Sequence, residues 1–407
     1  MNASSSPLSQ LAVPASLRPI ILGVVLFFTL NLIFSAFVTF SPLNQRFNFK
    51  YGNFLPAKLH MMEAHTPSRL DVLFLGTSQT NNGFIPSVFE QAAARAVGAP
   101  RSINSFNLGL PNNRYDIMQA YLSYHVAHYG RPRLVLVELS PTLQEQNSYF
   151  YYLPALYYRT LVEHSPEKLW DYLSHPYLAW NVKQELFVSS LSTLHQYRYT
   201  FSPVNILGKV SNKVSAKVRE NLSRLENSAQ ASTIPMRAAT PIPGQAPGYL
   251  AGITDSMMEK GWYPKEQSPH MLTPDGLKES IAEARSYYIE HQEAVRFEKL
   301  QVLLQYCKAQ HLPVVLVAWP NHPVYWDVFQ HSHLGPSYQH GLAALSQQYQ
   351  TPVIDLAATL PAGRDFSATR PLFADPRHLT PQGALRYSRA LGNTLMDVPV
   401  ARMALVK

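Results

Sequence analysis

Near its C-terminus the chain reads Asp375-Pro376-Arg377-His378-Leu379-Thr380-Pro381, and much earlier an apolar, β-like run at 70–75 delivers Gly76-Thr77-Ser78. A serine at the exit of a strand, with an aspartate and a histidine three residues apart on a late loop, offers a hydroxyl nucleophile, a base and a carboxylate to orient that base. If Thr380 is an N-cap and Pro381 the first helical residue, Asp375 and His378 lie on the loop entering the last helix. The carboxylate then reaches the imidazole Nδ1–H, and the other ring nitrogen is left to face Ser78. A turn after a parallel strand lifts its side chain to the sheet's carboxyl edge, where open α/β sheets place their sites. Taken singly, a Gly-Thr-Ser turn is a capped connection, a loop Asp is a turn former and a lone His is a satisfied polar group. Their joint occurrence in this order points to acyl-group chemistry.

Five short apolar runs predict the strands that must position these groups: 71–75, 103–106, 134–139, 314–318 and 353–356. Most do not alternate, the pattern of strands buried on both faces. Helix-like segments at 84–97, 116–128, 286–310, 337–349 and 382–395 fall between and after them. That alternation predicts an α/β protein with a doubly wound parallel sheet. The rhythm breaks once, over 141–285, which reads as an insertion at the sheet's carboxyl edge. It opens on aromatics, Tyr149 to Tyr152 and Tyr157-Tyr158, continues through helix-like stretches at 167–173 and 182–196, and becomes an Ala/Ser/Thr/Pro/Gly-rich loop at 228–248. The tyrosines are either core or the lining of a substrate or partner surface.

A run of 21 residues without a charge, 20–40, predicts a membrane anchor after a short tail at 1–19 and before a linker at 41–69. It is longer than the apolar core of a signal peptide, and no small-x-small cleavage site follows it. Only Arg18 precedes it closely, whereas Arg46, Lys50 and Lys58 follow, so the basic residues alone favour a cytoplasmic main body. Residues 70–140 and 286–396 form the two parts of the main domain, and 397–407 reads as a tail. The net charge of +8 suits anionic membrane surfaces or polymers. Basic residues are scattered and carry no nucleic-acid signature, which argues against that partner. No Cys/His/carboxylate set has metal-site spacing, so neither metal nor cofactor is expected. The single cysteine, Cys307, excludes an internal disulfide and belongs to an apolar series.

Gly76-Thr77-Ser78 after the first strand, Asn107-Leu108-Gly109 after the second and Asp375-Pro-Arg-His378-Leu before the last helix resemble blocks of the SGNH (GDSL-like) hydrolase superfamily. The resemblance covers roughly 70–140 and 296–395. It implies a flavodoxin-like sheet of about five strands flanked by helices, with Ser78 as nucleophile, His378 as general base and acid, and Asp375 orienting it. It also implies that the backbone N–H groups of Ser78 and Gly109 form the oxyanion hole. The family's third-block asparagine is absent, because the third strand runs into Ser140-Pro141. Asn81, Asn82 and Asn321 are the other polar candidates for substrate binding. An anchor followed by such a domain with an insertion resembles extracytoplasmic proteins that accompany membrane-bound O-acyltransferases. The resemblance therefore implies a periplasmic, membrane-anchored esterase or O-acyltransferase acting on a cell-envelope glycan or polymer. Its alternative is a catalytically silent glycan-binding or scaffold module of an envelope acylation complex.

Overall fold

The computed structural model describes residues 16–40, 54–65, 70–98, 102–140, 152–176, 178–191, 259–265, 273–286, 289, 295–357 and 369–406. Contacts divide the chain into two compact units, 1–49 with 188–232 and 50–187 with 233–407. In the first, α1 (Arg18–Phe40) is a 23-residue helix whose apolar side chains from Ile20 to Ile33 are almost all exposed. Its fully described part, 18–34, is about 25 Å long at 1.5 Å per residue. Among the described residues no helix is long and apolar enough to cross a membrane.

The second unit is built on five parallel strands: β1 (Val72–Gly76), β2 (Ser105–Gly109), β3 (Leu134–Leu139), β4 (Val314–Ala318) and β5 (Val353–Asp355). Their order, β2-β1-β3-β4-β5, is that of a flavodoxin-like doubly wound sheet. Every residue of β1, β2 and β3 is buried, as the unalternating apolar sequences of β1 and β3 predict, and in β2 this includes the polar Ser105 and Asn107. Gly76 pairs with Gly109 in register, so β1 and β2 end side by side at the carboxyl edge.

The remaining helices are α2 (Phe54–His65), α3 (Ser78–Gly83), α4 (Pro86–Val97), α5 (Tyr115–Tyr129), α6 (Tyr152–His164), α7 (Leu169–Ser174), α8 (Trp180–Leu191), α9 (Pro274–Arg285), α10 (Glu298–Ala309), α11 (Pro323–Gln330), α12 (Leu334–Tyr349), α13 (Pro381–Leu395) and α14 (Pro399–Val406). Helix α13 buries Gly383, Ala384, Tyr387, Ser388, Leu391, Gly392 and Leu395, a stripe of helical period, and packs on α4. Thr380 caps it by accepting from the Gly383 N–H at 3.2 Å, with Pro381 first in the helix as the sequence predicts.

Three segment readings change. The linker contains α2, whose Phe54, Leu55, Ala57, Leu59, Met61 and Met62 are buried, so part of it belongs to the core. Its lack of a polar face hides the helical period in the sequence. The C-terminal tail forms α14, which buries Ala401 and Leu405. The predicted 84–97 helix is α4, which starts at Pro86, and a further short helix, α3, lies ahead of it over 78–83. Within the insertion, Tyr157 and Tyr158 are core: Tyr157 donates to Pro111 O at 2.8 Å, tying α6 to the turn after β2. Tyr149 to Tyr151 and the 228–248 loop lie outside the described residues.

Candidate active site

Ser78 is the first residue of α3, directly after β1, and Thr77 caps the helix by accepting from the Gln79 N–H at 3.1 Å. The helix start rests on Glu138, a fully buried carboxylate near the end of β3. Glu138 accepts from Thr77 N–H at 2.8 Å, Thr77 Oγ1 at 2.5 Å, Thr80 N–H at 3.0 Å and Thr80 Oγ1 at 2.6 Å. A carboxylate under a helix N-terminus satisfies orphan donors and opposes the helix dipole. Gly76 makes room for it, since a Cβ there would sit 2.0 Å from Thr80 Oγ1 and 2.5 Å from Glu138 Oε2. Trp319 Nε1 donates to Thr80 Oγ1 at 2.9 Å and closes this shell from β4.

The second half of the site is a tight loop before α13. Phe373 and Leu379 form an antiparallel bridge, and Ala374 N–H donates to His378 O at 2.8 Å. Asp375 and His378 are thereby held at its tip. Asp375 Oδ1 accepts the Arg377 and His378 backbone N–H groups at 2.9 and 3.0 Å, a local Asx-type turn. The two halves are pinned together by Ser388 of α13, whose Oγ accepts from Ile85 N–H at 2.8 Å and donates to Gly83 O at 3.1 Å.

The result is a relay. His378 Nδ1 lies 2.8 Å from both Asp375 oxygens, and His378 Nε2 lies 2.8 Å from Ser78 Oγ. Because an ionised carboxylate only accepts, Nδ1 carries the proton and Nε2 accepts from the serine hydroxyl. Burial holds the imidazole below its ordinary 6.5, against the upward pull of Asp375. Burial by itself would raise the Asp375 carboxyl, but His378 first and Lys265 next hold it well below the usual carboxylate range. At neutral pH the pair is therefore a neutral base beside a charged orienter, the state in which serine can be deprotonated.

Asn321, after β4, also reaches this edge. Gln79 Nε2 donates to Arg377 O and to Asn321 Oδ1, each at 2.9 Å. A backbone carbonyl can only accept, so it fixes the Gln79 amide and with it the orientation of Asn321. The Asn321 Nδ2 is then the free end of the amide, with no acceptor among the described residues.

Three expected binding groups are placed differently. The Gly109 N–H, expected in the oxyanion hole, donates to Asn107 Oδ1 at 2.9 Å. Gly109 instead serves close packing, since a Cβ there would lie 2.4 Å from Asn81 N. Asn107 also donates from Nδ2 to Thr80 O and Phe84 O at 2.9 and 2.8 Å, bolting β2 to α3. Asn81 is buried with Oδ1 unpartnered, and Asn82 spends its Nδ2 on Tyr263 O at 2.8 Å, so neither offers a polar group at an open surface. Sequence reasoning missed Glu138, Gln79, Lys58 and Lys265. Lys58 of α2, fully buried, donates to Asn107 O at 2.9 Å and Gly109 O at 2.5 Å; burial lowers its ammonium well below the usual range. A charged residue inside an apolar run was the available signal for Glu138 and Lys58.

Among the described residues no cluster of His, Cys, Asp or Glu could hold a metal ion. A family model without a functional description matches residues 272–398, which include Asn321, Asp375 and His378 but not Ser78. No curated protein matches the chain.

Proposed function

We propose that this protein is an SGNH-like serine esterase or O-acyltransferase, anchored by the 20–40 segment and acting outside the cytoplasm on a cell-envelope glycan or polymer. The observation that carries the chemical part is the unbroken relay from Asp375 through His378 to Ser78, with both contacts at 2.8 Å. Ser78 Oγ adds to an acyl carbonyl while His378 Nε2 takes its proton. Charge grows on the acyl oxygen, where the Ser78 N–H and Asn321 Nδ2 are the candidate donors. The tetrahedral adduct collapses as His378 returns the proton to the leaving group, and the acyl group stays on Ser78. A sugar hydroxyl or water then gives its proton to His378 and adds to the acyl carbon, and the adduct collapses to the new ester or acid as His378 returns that proton to Ser78 Oγ.

The anchor rests on the uncharged 20–40 run of the sequence and on the exposure of the α1 apolar side chains from Ile20 to Ile33. The extracytoplasmic compartment, the glycan substrate and a membrane-bound O-acyltransferase partner rest on the family resemblance. The test is to treat the full-length protein in detergent with a fluorophosphonate probe and with p-nitrophenyl acetate. Wild type should be labelled on Ser78 and turn over the ester, and Ser78→Ala should lose both. Equal ester turnover by Ser78→Ala, or no labelling of the folded wild type, would leave the silent binding module as the better account.

A further inference from the structure

A short piece of the insertion, 259–265, runs along the helix that begins with Ser78. Lys260 Nζ pairs with Glu90 of α4 at 2.6 and 2.7 Å. Trp262 Nε1 donates to Asn82 O at 2.9 Å, Tyr263 N–H donates to Asn81 O at 3.0 Å, and the Tyr263 ring meets Phe54 edge-on at 5.1 Å. Two residues on, Lys265 Nζ lies 2.5 Å from Asp375 Oδ2 and 3.1 Å from His378 Nδ1. One strap thus touches both the helix of the nucleophile and the loop of the acid and base.

An ion pair on a surface is ordinarily worth little. This one matters through where it is made. With the Arg377 and His378 N–H groups on Oδ1 and Lys265 on Oδ2, the Asp375 carboxylate is gripped from both sides and cannot rotate freely. Nδ1 carries the relay proton, so Lys265 cannot donate to it. The 3.1 Å approach is a like-charge contact whenever the ring is protonated.

We propose that Lys265 is a positioning residue of the triad: it locks the Asp375 carboxylate and opposes protonation of His378, keeping the base competent under mildly acidic conditions. The inference deepens the acyl-transfer reading and rests on it for its catalytic meaning. Of the other groups around the ring, Arg377 also opposes its protonation, more weakly than Lys265, while Asp375 favours it. Asp375 and Arg377 come from the ring's own loop, α3 contributes the neutral Ser78 and Gln79, and the β4 exit contributes Asn321 and His322. His322 is held by burial at about 4 and is neutral over the relevant range.

The experiment uses the full-length protein in detergent and compares wild type, Lys265→Met and Lys265→Arg. The first readout is the pH profile of kcat/KM for p-nitrophenyl acetate. The second is carbethoxylation of His378 by diethyl pyrocarbonate against pH, followed on its peptide by mass spectrometry in a Ser78→Ala background. Lys265→Met should move the acidic limb and the His378 midpoint to higher pH by about one unit, with little change in KM. Lys265→Arg, which keeps the cation, should stay close to the wild-type midpoint. A His378 midpoint that stays put in Lys265→Met overturns the inference, whatever the ester kinetics. If the midpoint moves while wild type turns over no ester, the acyl-transfer reading fails and the positioning role of Lys265 stands.

Discussion

Asn321 Nδ2 and the Ser78 N–H are two donors at the relay without an acceptor among the described residues, while the Gly109 N–H already serves Asn107. That difference separates two substitutions that sequence alone ranks the other way. Asn321→Ala should lower kcat for a small ester by roughly a hundredfold with a modest effect on KM, the loss expected of one oxyanion donor. A kcat within about threefold of wild type would place the hole elsewhere. Gly109→Ala should act on folding first, because its methyl meets backbone at 2.4 Å where no side chain can move aside. An overpacking cost of about 1–3 kcal/mol or more in denaturant unfolding is expected. Full stability would show that α3 yields more easily than its packing implies.

At the scale of elements, the serine is placed by a helix that depends on a carboxylate from a neighbouring strand. Helix α3 has six residues, too short to be stable on its own account. Its start is held by the four hydrogen bonds to Glu138 and its underside by Asn107. Glu138→Gln keeps the shape but replaces one accepting oxygen by an NH2 group that faces donors. It should cost about 2 kcal/mol in unfolding free energy and lower the rate of Ser78 labelling as well. A loss below about 0.5 kcal/mol would mean that the donors find other partners. The strap 259–265 belongs to the same level: it bonds to α3 and delivers Lys265, so the insertion takes part in the site.

For the whole molecule, buried histidines set an acid limit to stability. His125 is 1 % exposed with Nδ1 unpartnered, and burial holds it at about 4; His322 is buried and likewise held at about 4. The unfolded chain takes up these protons near the ordinary 6.5, whereas the folded one refuses them until about 4. Stability is therefore present above pH 6.5 and withdrawn as pH falls towards 4, on the order of 3 kcal/mol for each ring. The depressed Asp375 carboxyl adds a loss at lower pH, through the range where its unfolded counterpart protonates. Urea unfolding of the full chain should show its steepest loss of midpoint in this window. His125→Gln should flatten the slope, and an unchanged slope would mean that the ring protonates while folded.

What was legible in the sequence is what local patterns specify. Unalternating apolar runs announced buried parallel strands. Thr380-Pro381 announced a helix start, and the Asp375–His378 spacing fitted one loop ahead of it, because capping and turn chemistry act within a few residues. The sequence of α2 reads as linker, since a helix apolar on most faces has no period to detect. Tertiary structure alone decided the rest: that β1, β3 and α13 bring Ser78, Glu138 and His378 to one edge, that Gly109 packs instead of donating, and that Lys265 returns from the insertion to Asp375. Those outcomes turn on partners far apart along the chain, where hydrogen-bond geometry and the space left by a missing Cβ select the neighbour and sequence spacing carries no information about it.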